Sequence, residues 1–116
     1  LINTMSNRLD LDLADPRMVK WHIEEHSKTS QEGAIALQLV FQAVDLSGAL
    51  PKIKAPTLLM TGDKSANSPL DDQLFVKSQL GNCKGLVVFP NIAAGIQLLI
   101  PDRCVEATLQ FIESVE

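Results

Sequence analysis

The chain carries two histidines, and they stand four residues apart in His22-Ile23-Glu24-Glu25-His26. On a helix, side chains at i and i+4 share one face. Both imidazoles could then bind one Zn²⁺ while Glu25 serves as the base, the H-x-x-E-H arrangement of metal-assisted peptide hydrolysis. Such a centre needs a third protein ligand, and Glu32 is the candidate. A solvated helix face explains the same five residues without a metal, with His22 flanking Trp21. On that simpler reading no metal or other cofactor is expected.

A second set of polar residues lies further along, at Asp63, Ser65, Asp71 and Asp72. Asp71 and Asp72 follow Ser68-Pro69, a helix-start signal, and carboxylates in a first turn suit the positive helix end. Ser65 is a possible nucleophile in type alone. No histidine occurs after His26, so nothing downstream can take its proton.

The bulk composition is that of an ordinary globular chain, 46% apolar and 21% charged over 116 residues. One domain at most is expected. A formal net charge of −4 argues against nucleic-acid binding, which needs a basic stripe, and the positive charges at Lys52, Lys64 and Arg103 are scattered singly. No apolar run reaches the roughly 20 residues of a membrane span, and no signal-peptide pattern is present. Cys83 and Cys104 are too few for a disulfide framework and lack metal-ligand spacing, so buried thiols in a reducing compartment, the cytoplasm, are expected. The chain opens at Leu1 rather than a methionine, which suggests part of a longer protein.

The elements that must position these residues follow from local signals. Residues 1–14 show no period and form a poorly defined lead-in. Asp15-Pro16 starts a helix to about Ser27, with Met18, Trp21 and His22 on one side. Thr29-Ser30-Gln31-Glu32 has capping-box spacing and opens a second helix, 30–45. Its apolar residues Leu37, Val40, Phe41 and Val44, widened by Ile35, Leu39 and Ala43, suggest a helix sandwiched between layers. Gly48 and Pro51 break the pattern. Thr57 to Thr61 and Leu86 to Phe89 are short apolar runs, as in parallel strands buried on both faces. A helix from Pro69 to about Leu80 joins them, stopped by Gly81-Asn82. After a loop from Pro90 to Ile100, Pro101-Asp102 starts a last helix with Cys104, Thr108, Phe111 and Val115 inward, flanked by Val105, Leu109 and Ile112.

This order, with Ile53-Lys54-Ala55-Pro56-Thr57-Leu58 leading into the first strand, resembles the carboxy-terminal part of α/β-hydrolases over residues 50–116. Gly62-Asp63 followed by Pro69 is similar in spacing to the family's acid loop, and Pro90 and Pro101 bracket its histidine loop. The resemblance implies that Ser65 occupies the triad-acid position and Ala94 the histidine position. Leu99 stands where a glutamate is frequent, within an apolar loop of Ile92, Ala93, Ala94, Ile96, Leu98 and Leu99. The Gly-x-Ser-x-Gly elbow is absent. Non-catalytic NDRG-type proteins are similar in carrying a small residue at the histidine position and a Ser in the acid loop, and Gln97 fits their pattern; residues 1–50 do not match that group.

The expected fold class is therefore α/β: a parallel βαβ unit plus flanking helices, with residues 1–50 a helical, cap-proximal segment and 51–116 the βαβα segment. The expected function is that of a catalytically incomplete hydrolase-fold protein acting by ligand binding or protein interaction. The alternative is the C-terminal fragment of a true serine hydrolase, esterase- or lipase-like, with its active residues outside this chain. A zinc peptidase through His22, Glu25 and His26 is third. The loops 62–68 and 90–100 should meet at the carboxyl ends of adjacent strands, with Ser65, Ala66, Ala94 and Ile96 lining an apolar ligand pocket. The outer edge of the first strand, at Leu58, Leu59 and Met60, should lack a partner. Self-association, the N-terminal part of a parent chain, or another protein partner would cover it; neither nucleic acid nor a membrane span is expected.

Overall fold

The computed structural model of the chain describes residues 8–116. Residues 1–7 of the expected lead-in lie outside the described residues. In chain order the elements are α1 (Pro16–His26), α2 (Gln31–Ala43), a 3-10 segment (Ser47–Lys52), β1 (Thr57–Gly62), α3 (Leu70–Gln79), β2 (Cys83–Phe89), α4 (Ile96–Leu99) and α5 (Pro101–Val115).

The helix starts follow capping chemistry. Asp15 accepts the Arg17 amide at 2.8 Å, and Pro16 takes the first helical position, where no amide hydrogen is needed. At α2 the cap is Ser30, one residue after the first residue of the expected box. Ser30 has the extended backbone of a cap, and its Oγ accepts the Gly33 amide at 3.1 Å. β1 and β2 run parallel, with Met60 opposite Val87 and Gly62 opposite Phe89. β2 starts at Cys83, three residues before the apolar run that announced it. α3 connects the strands and packs on both and on the 3-10 segment, while α5 packs against β1 and α4.

The core sits where the sheet meets α4 and α5. Phe89, Ile92 and Cys104 are buried together, and Met60, Val87, Ile96, Leu99, Ile100 and Ala107 close around them. The Arg103 guanidinium lies 5.0 Å over the Phe89 ring, a cation–π contact at the rim.

Three expectations need correction. The strands are only partly buried, most residues of β1 and β2 being intermediate in exposure, because the sheet has two strands among the described residues. α2 is not sandwiched between layers: every one of its residues is exposed, Phe41 at 67%. Its apolar arc is real, but no described element packs over it. On α5, Val115 is exposed as well, whereas Cys104 is buried and Thr108 and Phe111 are half-buried.

Candidate functional site

The carboxyl ends of the two strands bring the loops 62–68 and 90–100 together. The Asp63 amide donates to the Phe89 carbonyl at 3.0 Å, and the Lys64 amide donates to the Ile92 carbonyl at 3.0 Å. The Asp63 carboxylate accepts the Asn91 amide at 2.7 Å. Asn91 sits at φ 62°, a left-handed conformation that asparagine tolerates better than most side chains. Gly62 permits this closeness, since a β-carbon there would collide with the Ile92 carbonyl oxygen. Asp63 is therefore a loop clasp, with a carboxylate oxygen committed to a backbone amide.

Ser65 is half-buried, and its hydroxyl accepts the Ser68 amide at 3.2 Å, two residues before α3 begins. This is the local serine turn that commonly precedes a helix. Asp71 and Asp72 lie exposed in the first turn of α3, as their helix-start reading requires.

Ala94 is held from an unexpected direction. The Asp10 amide donates to the Ala94 carbonyl at 3.0 Å, and the Asp10 carboxylate accepts the Ala93 amide at 2.9 Å. Leu9 is fully buried beside Gly95, which has φ 78° and where a β-carbon would meet Leu9 Cδ1 at 2.9 Å. Residues 8–10, expected to be part of a loose lead-in, thus form a strap across the loop that carries Ala94. No local signal announces it, because the pairing joins residues 83 positions apart.

The two loops and the strap enclose an open cavity of about 220 Å³, lined by Ser65, Ser68, Ala94, Ile96, Gln73 and Arg8 among others. Two features differ from expectation. Ala66 is exposed and lies outside the lining, and the wall is mixed rather than apolar, because the strap contributes Arg8 and α3 contributes Gln73. The lining holds no histidine and no carboxylate. A second recess of about 320 Å³ lies between Met60 and α5, beside Cys104, Val105 and Leu109. Burial raises the Cys104 thiol above its ordinary pKa, with the Arg103 charge partly opposing; Cys104 and Cys83 are both unbridged.

The histidine pair sits elsewhere in the site's surroundings. His22 is buried, edge-on to Trp21 at 5.1 Å and stacked on His26 at 5.4 Å, and its Nδ1 has no hydrogen-bond partner. His26 Nδ1 donates to the His22 carbonyl at 2.8 Å, which leaves Nε2 as the acceptor of Arg8 Nη1 at 3.2 Å. A cation at Nε2 would have to displace that guanidinium. Glu25 is paired with Lys28 at 2.6 Å, and Glu32 is exposed on α2. Among the described residues, no group of three or more His, Cys, Asp or Glu side chains is placed to hold a metal ion. Also among them, no helix is long and apolar enough to cross a membrane.

No family model and no curated protein matches this chain. Among solved structures, MGS-M2, described as an alpha/beta hydrolase enzyme from a Medee basin deep-sea metagenome library, matches with a TM-score of 0.58 at 19% identity. The match covers 95% of this chain and 42% of that one, so the chain spans less than half the length of the solved structure it resembles. At this identity the likeness is one of fold: a parallel βαβ unit with flanking helices of the α/β-hydrolase type.

Proposed function

We propose that this chain is a catalytically incomplete α/β-hydrolase-fold protein that acts by binding a small molecule or a protein, in the manner of NDRG-type proteins. One observation carries the reading. The cavity at the strand ends has Ser65 and Ala94 where the fold's triad acid and histidine are expected, and its lining offers no titratable base. A triad needs an imidazole to accept the nucleophile's proton and a carboxylate to hold that ring. The Ser65 hydroxyl accepts a backbone amide instead, and the Ala94 carbonyl is tied to the strap.

What the cavity retains is recognition. The polar residues Gln73 and Arg8 line it together with the apolar Ala94 and Ile96. Its volume of about 220 Å³ is below the 300–1,000 Å³ usual for drug-sized ligands, so it suits a small ligand or one end of a larger one. A cytoplasmic location belongs to the same proposal, and it rests on the sequence, whose two cysteines are too few for a disulfide framework.

The test is hydrolysis of activated esters by the pure chain. We expect no saturable turnover above background. Saturable hydrolysis abolished by substituting one residue within 1–116 overturns the proposal.

A second reading is favoured by the 42% coverage of a hydrolase enzyme: the chain is the carboxy-terminal part of an active serine hydrolase whose reactive residues lie outside it. Labelling of a longer parent protein by a serine-hydrolase probe, at a serine outside these residues, would establish it. The zinc-peptidase reading has the weakest support, because both His26 nitrogens and Glu25 are already engaged. Metal analysis of the purified chain by mass spectrometry is expected to find no stoichiometric zinc.

A further inference from the structure

The cavity at the strand ends carries charge of one sign. Arg8 is the single charged residue of its lining, and the others are apolar or polar and neutral. The chain as a whole is acidic, at a formal −4, so the cavity departs from the average of its own surface.

No carboxylate neutralises Arg8 among the described residues. Its partner there is His26, a ring nitrogen that accepts Nη1 at 3.2 Å. The ion pairs join Arg17 to Asp15, Lys20 to Glu24 and Lys28 to Glu25. Residues 1–7 contain neither Asp nor Glu. The acids of the adjoining segments stand outside the lining. Asp10 accepts the Ala93 amide and Asp63 the Asn91 amide, while Asp71 and Asp72 lie exposed in the first turn of α3.

The lining also sets the kind of anion. One guanidinium balances one negative charge, and its planar fork matches a carboxylate. A phosphate group, with a charge of about −1.5 to −2 near pH 7, would be left partly unneutralised. Met60, Ala94 and Ile96 supply an apolar wall for a short alkyl group. Ser65 adds a donor that can rotate: its Oγ accepts the Ser68 amide, and its own proton has no acceptor among the described residues.

We infer that this cavity takes a short aliphatic monocarboxylate, the carboxylate paired with Arg8 and the alkyl end against Ala94 and Ile96. The inference names a ligand class for the binding function proposed above and rests on that reading of the cavity. A volume of about 220 Å³ keeps the acid small.

Titration of the ¹⁵N-labelled full chain at pH 7.5 and constant ionic strength tests this, followed by NMR at the amides of Ala93, Ala94 and Gly95. Isobutyrate should shift them saturably. Isobutyramide, of the same shape but uncharged, should bind about fivefold more weakly, the scale of one partly exposed ion pair. Inorganic phosphate should also bind more weakly than isobutyrate. Arg8→Gln should lower isobutyrate affinity about fivefold and leave isobutyramide affinity unchanged. Lys84→Gln makes the same charge change at the exposed amino-terminal part of β2 and should alter neither. The comparison of acid with amide uses the parent chain, so it holds even if Arg8→Gln loosens the strap. Equal affinity for isobutyrate and isobutyramide overturns the inference, as does tighter binding of phosphate. Equal weakening of both probes by Arg8→Gln overturns it too, because Arg8 would then act through the strap alone. No saturable shift with any probe also overturns it, and leaves the expected absence of ester turnover standing. Ester turnover alongside a preference for isobutyrate would overturn the catalytically incomplete reading and support this one.

Discussion

Replacing Asp10 with alanine tests the strap that holds the candidate site together. In the parent, the Asp10 carboxylate accepts the Ala93 amide at 2.9 Å, and both residues are partly buried. A hydrogen bond to a charged group contributes about 1.5–3 kcal/mol net, and partial exposure puts this one at the lower end. The Asp10 amide bond to the Ala94 carbonyl is backbone and survives any substitution except proline. The expected loss for Asp10→Ala is therefore about 1.5 kcal/mol, and for Asp10→Asn about half that, because the amide oxygen remains a neutral acceptor. For a chain this size, 1.5 kcal/mol lowers Tm by about 6 °C. The assay is a urea melt of parent and both variants, paired with hydrogen exchange at the Ala93 amide. That amide should be protected in the parent, less so in Asp10→Asn, and least in Asp10→Ala. A melt of Asp10→Ala within error of the parent, or an Ala93 amide equally protected in all three, would refute the strap.

Other predictions follow from close contacts and charge. Gly62→Ala should cost about 3 kcal/mol, the overpacking penalty plus one lost hydrogen bond, because its β-carbon would press on the Ile92 carbonyl; faster exchange of the Lys64 amide should accompany the lower urea midpoint. Cys83 should react with a thiol reagent several-fold faster than Cys104, since Cys83 is half-buried whereas burial both shields Cys104 and raises its thiol pKa; peptide mapping showing Cys104 labelled first would contradict the described core. Asp15 is held below its ordinary value of 3.8, first by the Arg17 side chain and then by the Arg17 amide. A lowered folded pKa means the cap's stabilisation is complete above 3.8 and fades as pH falls through the lowered value. The Arg17 amide shift should accordingly titrate with a midpoint below 3.8, and a midpoint at or above it would show that the cap does not form.

The residues whose sequence readings succeeded are those with local causes. Pro16 and Pro101 fix helix starts through their own φ, Asp15 caps through an amide two residues on, and the apolar runs at 57–61 and 86–89 mark strands through their immediate neighbours. The meeting of the two loops was legible as well, because parallel strands in one βαβ unit carry their carboxyl ends to the same side.

Tertiary structure alone decided the rest. The strap joins Asp10 to Ala93 across 83 residues, and no periodicity in residues 8–14 encodes a contact whose partner is a loop backbone. The same strap places Arg8 on the cavity wall and on His26, giving the site a charged side and blocking the nitrogen a metal would use. For α2, the pattern correctly reported a broad apolar arc. A pattern records which residues avoid water, not what covers them, and the fold leaves that arc exposed.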